Sequence, residues 1–405
     1  MGDMLTGIEK KRGVPLGPGL GTSENLTPGY VSRGGERFKL RVADSVVKTT
    51  NFVYEEVVVP QMRSKGLFAC CNPSSGSTRH RYSAIGSRRA AQLADVPDVD
   101  FYADTLVKLS NGITAYRLTE PSTTTVPPEQ LPLVVCLHDL TTSSYVWADV
   151  VDLLADCEQG PKARTLVFDF YGRGRSPWIG VPCTLDVLVQ QVKELLDFLK
   201  LSNVPIQLIG HGMGGLIATA FCAKYPSVVT ALTLLAPMGL GYMPIPDIKF
   251  LRIPVISNFF WFKKRNIKQE GETFFFDLSE ETPHRYLIDK QIAMAQWQME
   301  NTPGYMEAVL SSLLVLPLVS TEELYAAVGR HPRSVLILWG DQDTVTPYAA
   351  GVLSMRACFE RGTIVDVRNA GHNILAENFN DTMNEILAFS KEVVGVSVGE
   401  GKEEF

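Results

Sequence analysis

The sequence predicts an α/β protein built around a mostly parallel β-sheet that is flanked by helices. Two observations lead to this fold class. From residue 101 onward, short apolar runs typical of buried strands alternate with longer segments of helical periodicity. A strand, a helix and a second strand in succession need a crossover connection, which joins parallel neighbours in one sheet.

The elements follow one another in a clear order. The runs DTLVKLS and ITAYRLTE flank an Asn-Gly pair and predict an antiparallel hairpin. Periodicity then predicts strands over 131–138, 164–170, 204–210, 228–237, 334–340 and 363–369. Helices are predicted over SYVWADVVDLLADC, over 185–200, from the glycine-rich turn to about Lys224, and near 378–394.

Composition divides the chain into four parts. We predict that residues 1–100 are a flexible, basic, Ser/Gly-rich N-terminal extension and that 397–405 are a disordered tail. The α/β core occupies 101–237 and 329–396, and 238–328 is an insertion between two strands. The insertion contains the aromatic segments NFFWFKKRN and ETFFFDL, which predict either a helical lid over a pocket or a surface for a membrane or a partner.

Bulk composition limits the function classes. The chain is 45% hydrophobic and 20% charged with a net charge of −6, so it has no basic excess for nucleic acid. The cysteine spacing predicts no zinc site, and we expect no metal or other cofactor. The N-terminus lacks a signal-peptide core, and no apolar stretch approaches a membrane span, so we expect a cytoplasmic protein.

The N-terminal extension carries a basic stretch that has two interpretations. Residues 61–94 contain six basic and no acidic side chains, with Cys70 and Cys71 among them. One interpretation is a solvated, flexible segment. The other is a membrane tether in which the two cysteines are acylated, which would make the protein peripherally membrane-associated.

The stretch PIQLIGHGMGGLIATAF, residues 205–221, matches two different motifs. Gly210, Gly212 and Gly215 give the G-x-G-x-x-G of a dinucleotide-binding turn, but that site needs an acidic residue about 20 positions later, and the first one is Asp247. The stretch also matches G-x-S-x-G, the strand-to-helix turn that exposes the nucleophile of serine hydrolases, with glycine at the nucleophile position. The absent acid disfavours the dinucleotide interpretation.

The rest of the chain favours the nucleophile elbow. Asp343 follows one predicted strand and His372 follows the next, which is the order elbow, acid, histidine. An earlier strand is followed by the loop that contains His138 and Leu140, where an oxyanion hole is expected.

With these motifs, the stretches 131–237 and 334–394 resemble the α/β-hydrolase superfamily, in its esterase, lipase and epoxide-hydrolase-like branch with a helical lid. The resemblance implies that His372 is the base, that Asp343 orients it, and that Gly212 is the degenerate nucleophile position. It also implies that the backbone N–H groups of Met213 and Leu140 are the oxyanion donors. We further assign four side chains to the binding site: His138, Asp139, Trp147 and His211.

Two positions depart from the family pattern. Gly212 stands where the family has Ser, Cys or Asp, so no side chain can attack a substrate from there. Asp139 stands where these loops read His-Gly, and its carboxylate would oppose negative charge developing in an oxyanion hole. Both changes argue against acyl transfer.

The sequence leaves several functions open. The first is a pseudo-hydrolase that binds an apolar or acyl ligand, or a partner, without turnover. The second is an active ester or lipid hydrolase in which the His372–Asp343 pair activates water. The third is an ordinary serine hydrolase whose serine is replaced at position 212. A membrane surface is a further expected partner, contacted through the basic extension or the aromatic insertion.

Overall fold

A computed structural model describes residues 30–33, 36–39, 103–122, 124–157, 160–240, 275 and 284–399 of the 405-residue chain. Strands β1 (Tyr30–Arg33) and β2 (Glu36–Lys39) pair antiparallel as a separate two-stranded ribbon. The predicted basic stretch with Cys70 and Cys71 lies outside the described residues, as do nearly all of the aromatic segments of the insertion.

The core is an eight-stranded sheet whose strand order is β10-β9-β8-β7-β5-β6-β4-β3. The strands from β5 to β10 are parallel, whereas β3 and β4 are antiparallel at one edge. The strands are β3 (Thr105–Leu109), β4 (Gly112–Thr119), β5 (Leu133–Leu137), β6 (Arg164–Phe168), β7 (Ile206–His211), β8 (Val229–Leu235), β9 (Ser334–Gly340) and β10 (Thr363–Val367).

Helices follow most of the parallel strands. Short 3₁₀ turns occupy Pro128–Gln130 and Ser144–Trp147. The α-helices are α1 (Ala148–Asp156), α2 (Leu185–Phe198), α3 (Met213–Lys224), α4 (Arg285–Asn301), α5 (Tyr305–Val315), α6 (Glu322–Gly329), α7 (Tyr348–Cys358), α8 (Ile374–Glu377) and α9 (Phe379–Gly399). Within the described ranges, no helix combines the length and apolar character that crossing a bilayer requires.

The sequence patterns explain these elements. All residues of β5, β6 and β7 are buried, as expected of central parallel strands covered by helices on both faces. The predicted hairpin is confirmed, with Leu109 opposite Gly112 across the turn. The predicted fold class, an α/β-hydrolase fold with a mostly parallel sheet flanked by helices, is therefore confirmed. Whether the insertion acts as a lid stays a prediction.

This topology gathers the chemically important loops at one edge of the sheet. The carboxyl ends of β5, β7, β9 and β10 all open there, because these strands are parallel. Asp139, Gly212, Asp343 and His372 each lie within a few residues of one of these strand ends. Residues far apart in sequence are thereby brought into one site.

Candidate active site

Position 212 has the backbone geometry of a nucleophile elbow. Gly212 is the residue between β7 and α3, and its φ of +52° with ψ of −113° is a conformation that L side chains rarely adopt. The turn is tight because helix α3 approaches strand β5 closely, and a Cβ on Gly214 would overlap the Leu137 carbonyl. The strand-turn-helix context required for an elbow is therefore present, and the side chain is missing.

The space beside Gly212 is filled by the side chain of Asp139. A Cβ on residue 212 would overlap the Asp139 Oδ1 atom and would lie 3.0 Å from Oδ2. Oδ1 accepts a hydrogen bond of 2.7 Å from the backbone N–H of Met213, which was predicted as an oxyanion donor. The carboxylate of Asp139, in the loop after β5, therefore occupies the position that a Cβ atom of residue 212 would take.

His372 lies between two carboxylates. Its Nδ1 is 2.9 Å from Asp343 Oδ2, and its Nε2 is 3.4 Å from Asp139 Oδ2. All three side chains are buried, with at most 3% of any one exposed. Asp343 also accepts hydrogen bonds from the Thr346 backbone N–H and hydroxyl, which fix its orientation. The predicted His372–Asp343 pair is therefore assembled.

The two carboxylates set the charge of His372. Burial of the ring would by itself lower the pKa of His372, but the charge of Asp343 and the interaction with Asp139 outweigh it and raise the pKa to about 10. Burial also opposes ionisation of Asp139 and Asp343, yet the neighbouring imidazolium holds the pKa of each carboxyl below its usual range. These pKa shifts favour a carboxylate–imidazolium–carboxylate array near neutral pH.

His138 and His211 support this cluster. His138 Nε2 accepts a 3.0 Å hydrogen bond from the Phe170 N–H, so its Nδ1 carries the proton and donates to the Asp139 carbonyl over 2.7 Å. Burial lowers the pKa of His138 to about 3, so this ring is neutral. His211 Nε2 donates to the His372 carbonyl at 2.9 Å, and its ring lies 5.1 Å from the His372 ring. Both imidazoles therefore form hydrogen bonds to backbone groups of, or next to, the cluster.

Residues of the insertion form hydrogen bonds that fix the loop carrying Asp139. The Thr141 carbonyl accepts hydrogen bonds from the Tyr305 hydroxyl at 2.7 Å and from Gln298 Nε2 at 3.2 Å. The Leu140 carbonyl accepts from Nε of Arg173, whose Nη2 donates to Ser312 Oγ. Helices α4 and α5 therefore fix the loop after β5, directly through Thr141 and through Arg173.

The structure brings together most of the predicted site residues. Asp139, Gly212, Met213, Asp343 and His372 meet in one cluster, as the previous distances show. Leu140 follows Asp139 in the same loop, and His138 and His211 contact the backbone of the cluster. Trp147 is fully buried in an apolar cluster of the core. In the described part of the chain, no group of acidic, His or Cys residues could hold a metal ion.

Sequence reasoning missed three residues of this neighbourhood. Arg173 lies in the segment FDFYGRGRSPW, and its hydrogen bond to the Leu140 carbonyl has no local signal in the sequence. Tyr305 is separated from Thr141 by 164 positions, so only the fold reveals their hydrogen bond. Thr346 follows Asp343 by three residues, and a threonine in a turn after an acidic residue could have indicated this bond.

Comparisons with known proteins agree with this architecture. The family model described as alpha/beta hydrolase fold matches residues 132–379. The monoacylglycerol lipase ABHD6 of Bos taurus is 23% identical over 281 residues, which cover 65% of this chain and 76% of that protein. Lipase LipV of Mycobacterium tuberculosis is 33% identical over 104 residues, covering 26% of this chain and 36% of that protein.

Solved structures are similar in fold. An esterase from Thermogutta terrifontis superposes with a TM-score of 0.58 at 20% identity, covering 71% of this chain and 99% of that one. An esterase from Exiguobacterium antarcticum gives a TM-score of 0.54 at 17% identity, with 71% and 99% coverage. The family match spans more than half of the chain and includes all four strand ends of the site. The chain therefore belongs to the alpha/beta hydrolase fold family.

Proposed function

We propose that this protein is a pseudo-hydrolase, which binds an apolar or acyl ligand or a partner and does not perform serine-dependent acyl transfer. One observation carries the proposal: the Asp139 carboxylate fills the space beside Gly212 and is hydrogen-bonded to the Met213 N–H. The nucleophile is absent, and its place and its oxyanion donor are taken by a negative charge.

Acyl transfer needs a nucleophile, a base and an oxyanion hole, and this site is unsuited to all three. Gly212 offers no attacking atom. Asp343 and Asp139 raise the pKa of His372, which favours the imidazolium and makes the ring a poor acceptor for a proton from a nucleophile. The Met213 N–H is bonded to a carboxylate, which repels a second negative oxygen.

The alternative is hydrolysis by water that His372 activates. It is supported by the intact His372–Asp343 hydrogen bond of 2.9 Å. It requires a neutral imidazole, whereas the two carboxylates beside the ring favour the imidazolium. The alternative therefore becomes competent only in a state in which Asp139 has left His372.

A serine lost at position 212 alone is a weaker explanation. Asp139 and Gly212 fit each other, because any side chain at 212 would overlap Oδ1 of Asp139 in the present arrangement. A single replacement of serine would leave a cavity rather than a hydrogen-bonded carboxylate. The pairing supports a site in which both positions have changed together.

The proposed ligand class is based on the names of similar proteins and on the composition of the insertion. Two similar proteins are named as a monoacylglycerol lipase and a lipase, and these names describe the activity of those two proteins. An insertion with aromatic sequence segments adds to the case for an apolar or acyl ligand. We further propose a cytoplasmic location, with peripheral membrane contact through acylated Cys70 and Cys71 or through the insertion.

Two assays test the proposal on the full chain. We expect no labelling by a fluorophosphonate probe and no hydrolysis of p-nitrophenyl esters beyond that of the His372→Ala variant. Ester hydrolysis by the wild-type protein that is lost in His372→Ala would reject the pseudo-hydrolase and favour the water mechanism. Fluorophosphonate labelling would reject both.

A further inference from the structure

We infer that this site is a receptor for a carboxylate group and that Asp139 occupies it as an internal ligand in the described conformation. The external ligand therefore ends in a carboxylate, and its apolar character is taken from the proposed function. This inference rests on the proposed function, because it names the chemistry of the ligand that the pseudo-hydrolase binds.

Two buried donors form the receptor. The first is the backbone N–H of Met213, the first residue of the 12-residue helix α3, where the helix dipole favours an anion. The second is Nε2 of His372, whose side chain is 0% exposed and whose Nε2 makes no well-aligned hydrogen bond. A buried polar atom in this state calls for an anionic partner within reach.

The Asp139 carboxylate matches these donors with one oxygen each. Oδ1 is 2.7 Å from the Met213 nitrogen, and Oδ2 is 3.4 Å from His372 Nε2. A carboxylate offers two charged oxygens, whereas an ester carbonyl offers one neutral acceptor. The two donors, one of them charged, therefore favour a carboxylate over an ester.

The other groups that face His372 do not substitute for that anion. Asp343 is bonded to Nδ1, on the opposite side of the ring from Nε2. The pKa of His211 is lowered by burial, so this ring is neutral at physiological pH, and its Nε2 is bonded to the His372 carbonyl. Thr346 Oγ1 lies near Nδ1 and donates to Asp343. Removing the Asp139 carboxylate thus leaves Nε2 and the Met213 N–H unpaired in a buried space.

Binding of an external carboxylate requires Asp139 to leave. Its loop is held by the Tyr305 hydroxyl and Gln298 through the Thr141 carbonyl, so self-occupancy is the stable arrangement here. The wild-type protein should therefore bind a carboxylate more weakly than a variant whose internal ligand is removed.

Calorimetric titration of the full chain with acetate and with octanoate tests the inference. Asp139→Ala removes the internal carboxylate, and Asp139→Asn is the matched control because its amide oxygen can still accept from Met213. We expect Asp139→Ala to bind one octanoate at least tenfold more tightly than both Asp139→Asn and the wild type. Octanamide, a neutral analogue of the same length, should bind Asp139→Ala at least tenfold more weakly than octanoate.

Equal octanoate affinity of Asp139→Ala and Asp139→Asn, or equal affinity for octanoate and octanamide, would overturn the inference. If Asp139→Ala does not fold, Asp139→Gly serves the same comparison. The titration is independent of the ester assays. Wild-type ester hydrolysis together with octanoate binding by Asp139→Ala would reject the pseudo-hydrolase and support the carboxylate receptor. Absence of both ester hydrolysis and octanoate binding would support the pseudo-hydrolase and reject the carboxylate receptor.

Discussion

Restoring the missing nucleophile requires two substitutions, not one. The single change Gly212→Ser places a Cβ where Asp139 Oδ1 lies and forces a residue with a side chain into φ of +52°. We therefore expect Gly212→Ser to remain inactive on p-nitrophenyl esters. The double change Asp139→Gly with Gly212→Ser frees the Met213 N–H and leaves His372 paired with Asp343 alone among the described carboxylates.

The cost of the single change can be worked from the contacts. A side chain in a left-handed conformation costs about 1–2 kcal/mol. Displacing Asp139 also loses its charged hydrogen bond to Met213, which is worth about 1.5–3 kcal/mol. Together they predict that Gly212→Ser lowers the free energy of unfolding by about 2.5–5 kcal/mol, measured by urea denaturation. The double variant loses the charged bond as well but avoids the overlap.

Activity and labelling then distinguish the outcomes. We expect the double variant to hydrolyse p-nitrophenyl butyrate at least about 100-fold faster than either single variant, the size of effect that general-base catalysis supplies. It should also react with the fluorophosphonate probe. Asp139→Gly alone, which lacks a nucleophile, is the control. Activity of Gly212→Ser equal to that of the double variant would refute the idea that Asp139 fills the nucleophile site.

Three further predictions follow from the same contacts. The raised pKa of His372 means that the folded state keeps a proton that the unfolded state releases above about pH 6.5. The free energy of unfolding should therefore fall as the pH rises from 6.5 through about 10. In urea titrations, His372→Gln should flatten this dependence. Tyr305→Phe removes the hydroxyl that is hydrogen-bonded to the Thr141 carbonyl and should destabilise the protein by about 1 kcal/mol. The matched change at the exposed Tyr286 should have little effect on the melting temperature. Equal effects of the two changes on the melting temperature would contradict the role of Tyr305. Replacing both Cys70 and Cys71 by serine should reduce membrane partitioning in a fractionation assay, and unchanged partitioning would reject acylation.

Much of the fold could be predicted because its signals are local. The Asn-Gly turn and the apolar runs identified the hairpin and the parallel strands, and observed bounds such as Ser334–Gly340 coincide with the predicted ones. The order of Gly212, Asp343 and His372 identified the site, because parallel strands open at one edge. These inferences needed only spacing and the rules for strand crossovers.

The chemistry of the site could not be read from the sequence to the same depth. Asp139 was recognised as unfavourable for an oxyanion, but its contact with the space beside Gly212 depends on how two loops 73 positions apart approach each other. The protonation of His372 likewise follows from having two carboxylates at 2.9 and 3.4 Å, which no spacing rule provides. These distances between residues far apart in sequence are what the proposed function depends on.

The proposed function depends most on the Asp139 carboxylate holding His372 as an imidazolium. Titration of the imidazole resonances by nuclear magnetic resonance tests it most directly, with His372→Gln assigning the signal. We expect His372 to stay protonated at pH 8 in the wild-type protein and its pKa to fall in Asp139→Asn. A wild-type His372 that is neutral at pH 8, or a pKa that Asp139→Asn leaves unchanged, would contradict it.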